Sequence, residues 1–129
     1  MVDSDVAVNR KSTYDLKERT FNFGVRVLRF AARLPRTFIA IELTRQLVRA
    51  ATSIGANVEE ADGAESRRDT AHKMGIARKE ARESRYWLKT MIAAEIVSEP
   101  QRAEAETLAQ EASELVKILS TIIRKLVKD

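Results

Sequence analysis

Cysteine is absent from the 129 residues, and histidine occurs once, at position 72. Together these remove disulfide staples, thiolate metal sites and any imidazole-based metal cluster. Proline occurs twice, glycine four times, and aromatic side chains make up 5% of the chain. A sequence so poor in turn residues and aromatics offers little from which to build strands and hairpins. No apolar run approaches the roughly 20 residues that span a bilayer, and the N-terminus lacks the apolar core of a secretory leader. The expected setting is therefore soluble and cytoplasmic, with no membrane partner. Nor does one sign of charge dominate. The 23 Lys and Arg against 19 Asp and Glu leave +4, too mild by itself to indicate nucleic acid.

What is present is charge in abundance, 33% of residues, together with much Ala and Leu, the composition of long helices. The length suits one domain. The chain is organised around residues 43–61. Leu43, Leu47, Ile54 and Val58 recur there at helical spacing, with Ala50 and Ala61 between them. Ala51, Gly55 and Ala56 crowd beside that face. A glycine inside a helix costs about 1 kcal/mol relative to alanine, so its use here predicts closely approaching neighbours. A polar ledge of Gln46, Arg49, Ser53, Asn57 and Glu60 borders the apolar stripe.

Residues 1–12 show no periodicity and read as a flexible tail. Ser12 and Thr13 offer N-caps, and Asp15 suits the positive end of a helix. A first helix is expected over residues 13–34, with Leu16, Thr20, Phe23, Val27, Phe30, Ala31 and Leu34 facing the core. Phe21, Val25, Leu28 and Ala32 widen that stripe and predict cover on more than one side. Pro35 ends it. Thr37 caps a second helix over residues 38–62, which stops at Gly63. Ser66 with Asp69 opens a third over residues 67–97, its core line running through Met74, Ala77, Ala81, Ser84, Leu88 and Met91. Pro100 restarts the chain into a fourth over residues 99–127, through Leu108, Ala112, Leu115, Leu119, Ile122 and Leu126. Four amphipathic helices with short joints predict an all-α, antiparallel up-down-up-down four-helix bundle over residues 13–129.

Charge is most patterned on the third helix. At about 100° per residue, Arg78, Arg82, Arg85 and Lys89 form one narrow stripe a quarter turn from the core line, with Lys79 further round. Such a ridge on a rigid helix can track phosphates. Alternatively it is a solvated face, or it pairs with the acidic start of the fourth helix (Glu99, Glu104, Glu106, Glu111 and Glu114) or with a neighbouring subunit. No aromatic is expected to interleave with the stripe for base stacking. Glu80 falls between Ile76, Ser84, Trp87 and Met91 on the wheel and should be partly buried. A buried carboxylate needs a partner, and Arg49, Ser53 and Asn57 on the second helix predict a polar cluster that fixes register. Trp87 and Ile76 either belong to a wide core face or mark a subunit interface. Glu80 and Glu83 with Glu59 and Glu60 evoke a dimetal bundle, but the Glu-x-x-His pairs such sites use are missing. Without a nucleophile–base pair, phosphate-cradling glycine loop or metal constellation, no catalytic, cofactor or metal residue is assigned and no enzyme is expected.

Residues 49–61, RAATSIGANVEEA, resemble the signature of the bacterial four helix bundle protein family, also called the large-subunit rRNA intervening-sequence protein family. Ser66, Asp69, Lys73, Ile76-Ala77, KEARES at 79–84 and YWL at 86–88 resemble its third-helix block. The likeness runs from about Leu16 to the C-terminus, the first and last helices matching by pattern. The resemblance implies antiparallel bundles that assemble as ring-like homo-oligomers, pentamers in known members, with no enzymatic activity established. The family is also similar to the accessory proteins of diversity-generating retroelements. Those form a pentameric barrel that binds nucleic acid through basic surfaces and partners a reverse transcriptase. By analogy, the resemblance points to RNA or DNA, or a protein partner, as the ligand of an assembled ring.

Overall fold

The computed structural model describes residues 2–128, with side chains from residue 15 onward. It is an all-α bundle of four helices: α1 (Val2–Ala31), α2 (Phe38–Asp62), α3 (Arg67–Ala93) and α4 (Gln101–Val127). Each helix packs antiparallel on its neighbour in sequence, and α4 returns to α1 to close the ring; the α1–α4 seam is the slightest of the four. Among the described residues the diagonal helices bring no Cα atoms within 8 Å of each other, and the short joints set the up-down-up-down order. Phe23, Phe30, Leu47, Ile54, Met74, Leu88, Met91, Leu108, Leu115 and Leu119 fill the centre, fully buried.

The helix ends show where local chemistry decides. α1 begins at Val2 rather than near residue 13 and runs past Ser12 and Thr13, so neither caps a helix start. No proline or glycine stands between Val2 and Thr13 to stop it. The side chains of the stretch expected as a tail lie outside the described residues. α1 closes before Pro35 in a tightened turn, with Arg33 N–H donating to the Phe30 carbonyl at 3.1 Å and Leu34 N–H to the Ala31 carbonyl at 3.2 Å. The Thr37 hydroxyl accepts from Ala40 N–H at 3.2 Å, and the Ser66 hydroxyl from Asp69 N–H at 3.0 Å, the two caps expected.

α3 ends at Ala93, four residues short of the expected Val97. There Ile96 N–H reaches back to the Met91 carbonyl at 3.0 Å and Glu95 N–H to that of Ile92 at 3.1 Å. Glu95 sits in the left-handed region at φ 58. This is a Schellman closure, with Ile96 folded onto the core as its apolar clasp. α4 starts at Gln101, two residues later than expected, with no side-chain cap at Pro100. Its far end is capped from outside: Arg67 donates to the Leu126 and Lys125 carbonyls, each at 2.9 Å, opposing the negative helix terminus.

Gly55 answers the expectation of close approach. A Cβ there would lie 3.3 Å from the Thr20 carbonyl oxygen, so α1 and α2 meet through a contact that only glycine leaves free. Ion pairs tie the seams. Arg19 holds Glu111 through two bonds of 2.7 and 2.9 Å, and Arg33 holds Glu104, both across α1–α4. Lys17 bridges Asp62 at 3.0 Å and Glu59 at 3.4 Å across α1–α2. The Asp62 bond raises the Lys17 ammonium above its ordinary value, opposed by desolvation and helped further by Glu59, and the Glu111 bond raises Arg19 in the same way. With its value raised, the Lys17 tie is in place at neutral pH and is lost as pH climbs through the alkaline range where the lysine deprotonates, whereas the Arg19 guanidinium stays charged throughout.

Candidate nucleic-acid interface

The α3 register that buries Met74, Ala77, Ala81, Leu88 and Met91 turns Arg78, Arg82, Arg85 and Lys89 toward the α4 side and outward. From Arg78 to Lys89 the ridge runs roughly 16 Å at the helical rise of about 1.5 Å per residue. Arg78 and Arg85 are half-buried, laid across the α3–α4 seam with long contacts to the Ser120 hydroxyl (3.4 Å) and the Ser113 hydroxyl (3.5 Å). Arg82, Lys79 and Lys89 are exposed. A shallow depression of about 230 Å³ opens beside Arg85 and Lys89, lined on the α4 side by Glu106, Ala109, Gln110 and Ser113.

Among the described residues, none of these five cations lies within 4.0 Å of a carboxylate. The acids of α4 make their ion pairs elsewhere, although Glu106 also lines the depression beside Arg85 and Lys89. Glu104 and Glu111 face α1, Glu106 pairs with Arg102, and Glu114 with Lys117. Pairing of the ridge with α4 inside the bundle, one of the alternatives left open by the sequence, is not what the chain does. The ridge cations therefore make no close ion pair among the described residues and face solvent or a ligand.

One expectation is overturned on this face. Tyr86, which the sequence reading did not set beside the stripe, is 62% exposed. It stands four residues after Arg82 and three before Lys89, the spacings of surface neighbours on a helix, so an aromatic does interleave with the cations. Its ring meets Trp87 edge to face, with centroids 5.1 Å apart and planes at 77°.

The polar cluster around Glu80 forms only in part. The Glu80 side chain is 8% exposed, and Arg49 Nη1 approaches its Oε1 at 3.9 Å. The shorter bond of Arg49, 3.1 Å, goes to Glu83 Oε1 at the rim. Ser53 and Asn57 do not join. The Asn57 amide turns back along its own helix to the Ser53 carbonyl at 2.9 Å and hydroxyl at 3.1 Å, satisfying itself locally. Glu80 Oε1 is left buried without a hydrogen bond, as is Trp87 Nε1. Trp87 packs against the core edge, whereas Ile76, also half-buried, does not join that cluster. No group of three or more His, Cys, Asp or Glu among the described residues is placed to hold a metal ion. None of the described helices is long and apolar enough to cross a membrane.

A second surface was only hinted at by the wide apolar stripe of α1. Phe21 is 68% exposed, and Leu28 and Ile41 are also exposed on the outer side of the α1–α2 seam, with Val25 and Val48 half-buried beside them. Among the described residues that side of α1 has no cover.

A family model described as 23S rRNA-intervening sequence protein matches residues 12–121. Among solved structures, the chain is similar to the crystal structure of a protein with unknown function from the S23 ribosomal protein family of Bacteroides thetaiotaomicron VPI-5482. The two are 33% identical, the match covers 88% of this chain and 98% of the other, and the TM-score is 0.74. No curated protein matches.

Proposed function

We propose that this chain, which belongs to the 23S rRNA-intervening sequence protein family, works without catalysis as a homo-oligomeric bundle that binds RNA or DNA through the basic face of α3. The observation that carries this reading is the unpaired state of Arg78, Arg82, Arg85, Lys89 and Lys79 beside an acidic helix that spends its carboxylates on other partners. Cations held in a row on a rigid helix gain from counterion release when they meet phosphates. The exposed apolar side chains Phe21, Leu28 and Ile41 at the α1–α2 seam support assembly, since exposed large hydrophobics grouped on one side often mark an interaction surface. The occupant we assign to it is a second copy of the chain, as the ring assemblies of the resembling proteins imply.

Gel shifts at low salt against rRNA fragments, generic duplex and single strands test the nucleic-acid reading. Retardation that is lost in the Arg78, Arg82 and Arg85 alanine triple variant is expected; no retardation of any probe would end it. The competing reading is an adaptor oligomer whose charged faces pair subunits and whose ligand is another protein. Dissociation of the oligomer on reversing Arg82 and Arg85 to glutamate, with nucleic-acid binding unchanged, would favour that one.

A further inference from the structure

Tyr86 is the feature of the ridge that phosphate binding alone does not use. More than half exposed, its ring buries little apolar surface against its own chain. Its one aromatic contact is the edge-to-face packing with Trp87 at 5.1 Å, and Trp87 is itself anchored at the core edge with its indole N–H buried. The buttress limits how the ring can swing while leaving the ring itself largely uncovered. Arg82 lies one turn before it and Lys89 one turn after, both exposed and free of carboxylates. Glu83, three residues before Tyr86 on the same helix, is engaged by Arg49 at 3.1 Å.

Resting on the nucleic-acid reading above, we propose that Tyr86 is a stacking platform for an unpaired base, and that the ligand of the α3 ridge is therefore a single-stranded nucleic acid. A duplex keeps its bases stacked on one another and would offer this helix only phosphates. A single strand can lay a base on the tyrosine while its flanking phosphates reach Arg82 and Lys89, which stand about one helical turn to either side. Stacking of this kind tolerates any base, so the preference is for strandedness and not for sequence.

The test uses the full chain and a labelled twelve-nucleotide RNA of mixed sequence, single-stranded or annealed to its complement, with binding followed by anisotropy over a salt series. The expected result is single-strand affinity at least about tenfold above duplex. Tyr86→Ala should remove roughly tenfold or more of the single-strand affinity without altering the salt slope, because stacking releases no counterions. Tyr86→Phe should keep the wild-type value, which excludes a role for the hydroxyl, and an unchanged salt slope and thermal midpoint in Tyr86→Ala separate stacking from a structural role. Arg82→Ala should instead flatten the slope for both probes. Equal or tighter duplex binding, or an unchanged affinity in Tyr86→Ala while Arg82→Ala still weakens binding, would overturn the stacking proposal and leave the ridge reading in place. Absence of binding to either probe at low salt would overturn both.

Discussion

At the scale of single residues, two glycines inside helices have opposite consequences. Gly75 in α3 has open space where a Cβ would stand, while Gly55 in α2 faces the Thr20 carbonyl oxygen at 3.3 Å. Gly75→Ala should therefore gain most of the helix-propensity difference, about 0.5–1 kcal/mol, read as a higher urea midpoint with unchanged m. Gly55→Ala should forfeit that gain, because the atom it meets is backbone and moving it displaces α1. Arg49 is the other informative residue. Its exposed guanidinium spans the rim acid Glu83 and the buried Glu80. A double-mutant cycle of Arg49→Ala with Glu80→Ala should give a coupling of about 0.5–1 kcal/mol, and zero would show that the 3.9 Å approach contributes nothing. The sequence pattern placed Glu80 at the core edge correctly, through its wheel neighbours. It could not foresee that Asn57 would bond within its own helix, since an amide at i+4 from a serine has a local acceptor as near as the distant carboxylate.

At the scale of elements, helix bodies were legible because burial imposes a 3.6-residue period, and the core lines through Leu47, Ile54 and Val58 or Leu108, Leu115 and Leu119 stand as expected. Helix ends were legible where a capping residue advertises them, as Thr37 and Ser66 do. They were missed where the stop carries no such mark. α3 closes through Glu95 at φ 58, a conformation that usually calls for glycine, and apolar Ile96 and Val97 extend the pattern past the break. Glu95→Gly should relieve that strain and stabilise the bundle by about 0.5–1 kcal/mol, raising the thermal midpoint by a few degrees. A destabilised variant would mean that the Glu95 side chain contributes more than its backbone costs. The basic ridge was legible for the same reason as the core, being periodic. Its lack of carboxylate partners was not, because that depends on which way Glu104 and Glu111 point, a matter of how α4 lies against α1.

At the scale of the whole molecule, two surfaces on different sides of the bundle have different chemistry. The α1–α2 side presents Phe21, Leu28 and Ile41, and the α3–α4 side presents the cations and Tyr86. Assembly through the first would leave the second free, and a ring would repeat the basic face around its circumference and multiply its avidity. Light scattering should give the mass of a pentamer that persists at high salt, as expected of a contact dominated by apolar burial, and Phe21→Glu should dissociate it. A salt-stable monomer would remove the assembly from the account.

The central claim is that α3 meets phosphates, and the salt dependence of RNA binding addresses it most directly. Log affinity should fall linearly with log salt, and the Arg82→Ala, Lys89→Ala double variant should reduce the magnitude of that slope by about 1.4, roughly 0.7 for each single-strand phosphate contact removed. A slope identical to that of the wild-type chain would contradict the assignment, because the cations it names would then release no counterions.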